Sequence, residues 1–198
     1  MPNSDSYFRD IFSAHQPRIH RYLKRMVGAE EAEDLTQEVF AKVSQALPSF
    51  EGKAQLSTWI YRIATNKAID RLRSASFRKS KESVPADDVV AEFQVALKDE
   101  KNPTADKKLI EDEMNQCIRN YIANLPGSYR AVVTLSELEG FKNREIADIL
   151  EISLDTVKIR LHRARARLKK EFERGCHFFH TEDSDLACAP DQKIPKPE

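Results

Sequence analysis

The segments Asn143-Arg144-Glu145-Ile146-Ala147-Asp148-Ile149-Leu150, Glu151-Ile152-Ser153 and Leu154-Asp155-Thr156-Val157-Lys158-Ile159-Arg160-Leu161-His162-Arg163-Ala164-Arg165-Ala166-Arg167-Leu168 follow one another and decide the fold. In the first, Ile146, Ile149 and Leu150 fall on one helical face; in the last, Leu154, Val157, Leu161, Ala164 and Leu168 recur at heptad-like spacing. The three residues between them leave room only for a turn, and Ser153 is placed to cap the second helix, which runs to about Phe172. Two amphipathic helices joined this closely form a helix-turn-helix. Off its apolar stripe the second helix carries Lys158, Arg160, Arg163, Arg165 and Arg167, and Thr156 to Lys170 holds seven basic residues and no acidic one. Such a run often marks only a solvated face. Here, however, Lys158, Arg160, Arg163 and Arg165 have no acidic residue four positions away, and like charges at that spacing repel by a few tenths of a kcal/mol per pair, a cost that a polyanion removes. Lys158, Arg160, His162 and Arg163 lie in the half that enters a major groove; Arg165, Arg167, Lys169 and Lys170 are placed for phosphates.

The same period extends upstream. A helix from near Asp106 to Asn124 breaks at Leu125-Pro126-Gly127 and resumes from Ser128 to Glu139, before Gly140. At the other end, Phe8, Ile11, Phe12, Ile19, Tyr22, Leu23 and Met26 define a first helix that Pro17 bends or interrupts and Gly28 ends. The second opens on Glu30, Glu31, Glu33 and Asp34, favourable at a helix N-terminus, spaces Leu35, Val39, Val43 and Leu47 four apart, and stops before Pro48. After a loop from Ser49 to Leu56, a third helix caps at Ser57 or Thr58 and runs to about Ser74, burying Ile60, Ile63, Ala64 and Leu72. Phe77 to about Thr104 loses the period and reads as a linker, with room for a short helix at Val89 to Leu97. Glycine is scarce and β-type alternation nearly absent, so the chain is expected to be all-α: two small helical domains, 1–76 and 106–174, joined by a flexible acidic linker over 77–105, with a tail over 175–198.

Lys plus Arg and Asp plus Glu both number 32 in the 198 residues, yet the charges are segregated. Lys53 to Glu82 holds eight basic residues against two acidic, whereas Pro85 to Asn115 holds nine acidic against four basic. Two positive modules flanked by acidic segments suit a bipartite contact with a polyanion. No segment approaches the roughly 18 consecutive apolar residues of a membrane span, the N-terminus lacks a basic-then-apolar leader, and three cysteines do not make a disulfide scaffold. The expectation is a cytoplasmic protein with reduced thiols, no membrane insertion, no metal and no cofactor. No nucleophile–base pair, paired-carboxylate site or phosphate-cradling glycine loop argues for an enzyme.

The third helix interleaves aromatics and cations in Thr58-Trp59-Ile60-Tyr61-Arg62-Ile63-Ala64-Thr65-Asn66, followed by Lys67 and Asp70-Arg71-Leu72-Arg73. Aromatics among basic side chains suit single-stranded nucleic acid, where stacking is worth roughly 1 to 3 kcal/mol per base; Trp59 is equally suited to a core. These residues, Ala32-Glu33-Asp34-Leu35-Thr36-Gln37-Glu38-Val39-Phe40 before them, and the Arg144 to Arg165 block resemble, in this order, the extracytoplasmic-function sigma factors of bacterial RNA polymerase, over roughly Tyr7 to Arg174 apart from the linker. The resemblance implies a sigma factor that binds core RNA polymerase, directs it to promoter DNA and helps open it in response to a stress or envelope signal, under the control of an anti-sigma factor. It implies that Asp34, Gln37 and Glu38 contact the polymerase. It further implies that the loop from Phe50 to Leu56, with Trp59, Arg62, Asn66, Lys67 and Arg71, captures an extruded base and reads the non-template single strand of the downstream element. Thr156, Lys158, Arg160, His162, Arg163 and Arg165 then read the upstream, minus-thirty-five element as duplex, and the acidic linker threads a basic channel between the two.

Two other readings remain at this level: a free-standing helix-turn-helix regulator that binds duplex DNA as a dimer, and a metal-sensing or nucleic-acid-modifying enzyme built on the tail. The tail places Cys176, His177, His180 and Cys188 within thirteen positions, ligand types that suit zinc or copper, or a redox pair, though in no standard finger spacing. Cys117, on an amphipathic helix, reads as a core thiol.

Overall fold

A computed structural model describes residues 4–82, 117–180 and 186–190. Helix α1 (Ser4–Val27) and α2 (Ala29–Ala46) are separated by Gly28 at φ 94°, and a 3₁₀ turn over Leu47–Ser49 leads to α3 (Leu56–Glu82). Helix α4 is described over 117–123, followed by α5 (Gly127–Val133), a π-helical turn over Thr134–Leu138, α6 (Asn143–Leu150) and α7 (Leu154–Gly175). The all-α expectation holds for the body of the chain. Past α7, β1 (Cys176–His180) and β2 (Leu186–Pro190) add a short antiparallel pair that the periodicity did not announce. The interval 83–116, with the acidic linker, the possible helix at Val89 to Leu97 and the start near Asp106, lies outside the described residues, as do 181–185 and the chain end from 191.

Two expectations about the first half need correction. Helix α1 continues through Pro17 without interruption. Pro17 and Ser13, whose carbonyl loses its usual donor, are both exposed, so water replaces the missing hydrogen bond. Helix α3 runs on to Glu82, past the expected end near Ser74, because no glycine or proline interrupts it before Pro85. Of its expected core, Ile60 and Ala64 are fully buried whereas Ile63 and Leu72 are half-buried; Tyr61 takes the interior instead.

Tyr61 sits where the two halves meet. Its ring packs edge-on against Tyr22 at 5.2 Å and Phe141 at 4.7 Å, and its hydroxyl donates to Glu139 Oε2 at 2.6 Å. Arg25 Nη1 donates to Glu139 Oε1 at 2.7 Å, and the Glu139 side chain is only 2% exposed. The π turn carries Glu139 inward, closing a wide Glu139 N–H to Thr134 C=O bond of 3.0 Å, and Gly140 at φ 75° then turns the chain back. Burial and the adjacent Glu139 carboxylate push the Tyr61 phenol far up, so it remains a neutral donor. One continuous apolar core runs from Ile11 through Tyr22, Val39 and Ile60 to Val133, Ile146 and Leu161, joining the halves.

The helix-turn-helix is built as its spacing predicts. Ile146 and Ile149 of α6 and Val157, Leu161, Ala164 and Leu168 of α7 are buried, while Leu150 and Leu154 are half-buried. Ser153 Oγ accepts from Thr156 N–H at 3.1 Å, and the Glu145 carboxylate accepts from Lys142 N–H at 2.8 Å, so both helices start capped. The turn needs a left-handed residue, and Glu151 supplies it at φ 54°. A side chain at that backbone angle costs of order 1 kcal/mol. Glu151→Gly is accordingly expected to raise stability by about 0.5 kcal/mol, as a shift of the urea midpoint with unchanged slope.

Candidate nucleic-acid interface

The loop after the 3₁₀ turn and the first turns of α3 enclose a cleft of about 430 Å³. Phe50 and Trp59 both line it and pack against each other, ring centroids 5.0 Å apart and planes inclined by 39°, and Lys53 and Arg62 also line it. Trp59 is half-buried, braced from below by the core yet open to the cleft. The residue is thus neither sealed in the core nor wholly on the surface. The other wall comes from the second half of the chain: Glu145 and Asp148 of α6 line the same cleft. Arg62 Nε donates to the Asp148 carbonyl at 2.9 Å, and its guanidinium lies 3.4 Å from the Glu151 carboxylate.

Farther along α3, Asn66 is exposed, whereas Lys67 and Arg71 are held by acids of α2. Lys67 Nζ donates to Glu38 Oε2 at 2.8 Å, and Arg71 bridges Glu38 at 2.8 Å and Glu31. Asp34 stands exposed on α2 one turn before Glu38, and Gln37 is exposed beside it, so Asp34 and Glu38 share the helix face that holds Lys67 and Arg71. The hydrogen bond from Lys67, reinforced by the positive charges of Lys67 and Arg71, holds the Glu38 carboxyl below its usual range. Glu137 is likewise lowered, chiefly by Arg165, whose Nη2 donates to it at 2.6 Å. A carboxylate with a depressed native pKa contributes stability above its unfolded pKa and loses it as pH falls through the native value. Both pairs are exposed enough for the contribution to be small. The expected result is that Glu38→Gln flattens the fall in stability between about pH 5 and pH 3, measured by urea denaturation at each pH.

On α7, Lys158, His162, Arg163 and Arg165 are exposed, and Thr156 and Arg160 are half-exposed. Ile159, 50% exposed, stands among them, an apolar tip of the kind that contacts a thymine methyl. Lys158 reaches Asp155 at 3.5 Å, a weak surface pair. The two groups of sequence-predicted residues are not assembled into a single surface: those of α3 lie at the cleft and along α2, those of α7 on the helix-turn-helix. Sequence reading missed Glu145 and Asp148 as cleft residues and missed the acids that pair with the α3 cations; (i, i+7) spacing of Glu31 and Glu38 on α2 was the available signal.

In the tail, Cys176 is half-buried and Sγ lies 3.5 Å from Cys117 Sγ, so Cys117 is not the core thiol expected but part of a contact between α4 and the end of α7. The strand register sets Cys188 opposite Phe178, and Cys176 opposite Pro190. The side chains of His177, His180 and Cys188 lie outside the described residues; among the described ones no group of three His, Cys, Asp or Glu is placed to hold a metal ion. Nor, among them, is any helix long and apolar enough to cross a membrane.

Comparison with known proteins places this arrangement. Residues 11–78 match the family described as Sigma-70 region 2, and residues 115–168 the one described as Sigma-70, region 4. The chain is 37% identical over 170 residues to the ECF RNA polymerase sigma factor SigW of Bacillus subtilis (strain 168), covering 83% of this chain and 88% of that protein. It is 35% identical over 163 residues to the RNA polymerase sigma-H factor of Pseudomonas aeruginosa, covering 80% and 82%, and 32% identical over 167 residues to the ECF RNA polymerase sigma-E factor of Escherichia coli (strain K12), covering 84% and 86%. The fold is shared with the sigma factor RpoE of Bartonella quintana, solved with the anti-sigma factor NepR (TM-score 0.61, 21% identity, 84% of this chain and 96% of that one). It is shared also with CnrH, solved with the cytosolic domain of CnrY (TM-score 0.59, 19% identity, 87% and 91%). With the aromatic cleft in one matched region and the helix-turn-helix in the other, the chain belongs to the extracytoplasmic-function sigma factors of RNA polymerase, non-enzymatic factors of transcription initiation.

Proposed function

We propose that the Phe50–Trp59 cleft receives an unstacked base of the downstream promoter element, with Arg62, Asn66, Lys67 and Arg71 along the non-template strand, while Thr156, Lys158, Arg160, His162, Arg163 and Arg165 engage the duplex of the upstream element. Asp34, Gln37 and Glu38 of α2 contact core polymerase, and the segments 1–76 and 106–174 act as the two promoter-reading modules, with 77–105 spanning between them in the cytoplasmic enzyme. The observation that carries the reading is the half-buried Trp59, packed on Phe50 and open to a cleft that Lys53 and Arg62 also line. A base leaving the stack forfeits a few kcal/mol, and stacking on an aromatic returns roughly 1 to 3, so capture and melting become one step.

The same geometry supports a closed resting form. Glu145, Asp148 and Glu151 lie on or beside the cleft, and Arg62 is already engaged, so a strand enters only when the helix-turn-helix half moves aside. Several candidate DNA-binding cations, Arg62, Lys67, Arg71 and Arg165 among them, are neutralised within the chain, which suits weak promoter binding by the free protein and stronger binding once polymerase separates the halves. An anti-sigma factor that holds the halves together would use this closed form. The test is a holoenzyme titration on a promoter with 2-aminopurine in the downstream element. A fluorescence rise on open-complex formation, lost in Trp59→Ala and Arg62→Ala, supports capture; a rise unchanged in both variants sinks it.

A further inference from the structure

Cys117 of α4 and Cys176, the residue following α7, hold their sulfurs 3.5 Å apart, both half-buried rather than sealed in the core. Fifty-nine positions separate them in sequence, so the fold and not the local chain brings them together. Their setting is fixed by aromatic packing: Tyr121, one turn after Cys117 on the same helix, lies edge-on to Phe172 of α7 at 4.9 Å. The Cys176 thiol also lies 3.6 Å from the Tyr121 hydroxyl, so the two helices meet at one side-chain cluster of Cys117, Tyr121, Phe172 and Cys176. A disulfide needs the sulfurs at about 2.05 Å, so closure brings them about 1.5 Å nearer than they stand here. Cys188, the third cysteine, faces Phe178 across the strand pair, and the backbone position opposite Cys176 is Pro190.

We propose that Cys117 and Cys176 are a redox-sensitive dithiol that closes reversibly into a disulfide under hydrogen peroxide, stapling the end of the recognition helix and the root of the β-hairpin to α4. In the first step one thiolate sulfur attacks a peroxide oxygen, the O–O bond breaks, and a sulfenic acid forms as water leaves. In the second step the other thiol's sulfur attacks that sulfur, the S–S bond forms, and hydroxide leaves as a second water; two thiol protons and two electrons pass to the peroxide. Such a bond in a reducing cytoplasm is transient, which is the usage expected of a sensor rather than of a structural cross-link. The inference does not depend on how promoter DNA is read, since it concerns the contact between α4 and the end of α7.

The test uses the full chain. After brief exposure of the reduced protein to hydrogen peroxide, non-reducing peptide mapping is expected to recover Cys117 and Cys176 in one linked pair within a monomer, reversed by dithiothreitol. The linkage persists in Cys188→Ser and is absent in Cys117→Ser, with Cys117→Ala as a second variant should the first fold poorly. The closed loop of about 60 residues is expected to raise the unfolding midpoint of the oxidised protein by about 10 °C over the reduced one, in wild type and in Cys188→Ser alike. A Cys176–Cys188 linkage, a cross-link between molecules, or equal alkylation of Cys117 and Cys176 before and after peroxide overturns the proposal.

Discussion

Arg130→Ala lowers the unfolding free energy by about 3 to 5 kcal/mol, read from urea denaturation of the full chain. Arg130 is 5% exposed, and among the described residues no carboxylate pairs with it. Its Nη1 donates to the Met26 carbonyl and its Nη2 to the Ala123 and Leu125 carbonyls, the last at 3.2 Å, while Nε finds no acceptor among the described residues. Those oxygens are at the carboxyl ends of α1 and α4, where the last carbonyls of a helix have no partner of their own and the helix dipoles concentrate negative charge. The guanidinium therefore serves as a common C-cap for two helices from different halves of the chain, and its charge is balanced by dipoles. Burial pulls its pKa down to about 10, which still leaves it charged at neutral pH. Removing it strands three buried acceptors and opens a cavity. Arg130→Met restores most of the volume but none of the hydrogen bonds, and is expected to retain more than half of the loss. An ammonium cannot fork to two helix ends, so Arg130→Lys should resemble Met more than wild type. A loss below about 1 kcal/mol in all three would remove Arg130 from the junction.

Trp59→Ala is expected to cut run-off transcription from a duplex promoter by about 10- to 100-fold, the range that one lost stacking partner implies. The indole contributes in two ways, and the variants separate them. As a half-buried ring against Phe50 it supports the loop, so truncation also costs stability. As the proposed stacking surface it would offset the opening of the duplex. Trp59→Phe keeps a ring in both roles and should retain most activity. On a template whose downstream element is already unpaired, the Trp59→Ala defect is expected to narrow, because less of the opening cost remains to be offset. A defect of equal size on both templates would assign Trp59 to loop structure alone.

The helix-turn-helix was legible because everything that makes it is local: the apolar period, the three-residue turn and the Ser153 cap all act within a few positions. The junction between the halves was not, because its partners are far apart in sequence. Tyr61 lies in a run of aromatic and basic residues that reads as a binding surface, and only Glu139, 78 positions away, shows why its hydroxyl is inside. Arg130 in isolation is an ordinary surface arginine; its burial follows from two helix ends that the fold brings to it. Helix α3 outruns its apolar period because a weakening of that period does not stop a helix where no breaking residue stands. In the site, residue types were readable but pairings were not: nothing local ties Arg62 to Glu151 or Cys117 to Cys176.

The central claim, that this chain gives core polymerase its promoter specificity through two separate readers, is tested most directly by run-off transcription from a pool of promoter fragments with purified core polymerase. The account predicts specific transcripts that require this protein and disappear when either Asn66 on α3 or Lys158 on α7 is replaced by Ala. If no transcript depends on the protein while it shifts duplex DNA unaided, the account is contradicted, and the surface of Asp34, Gln37 and Glu38 loses its assigned partner with it.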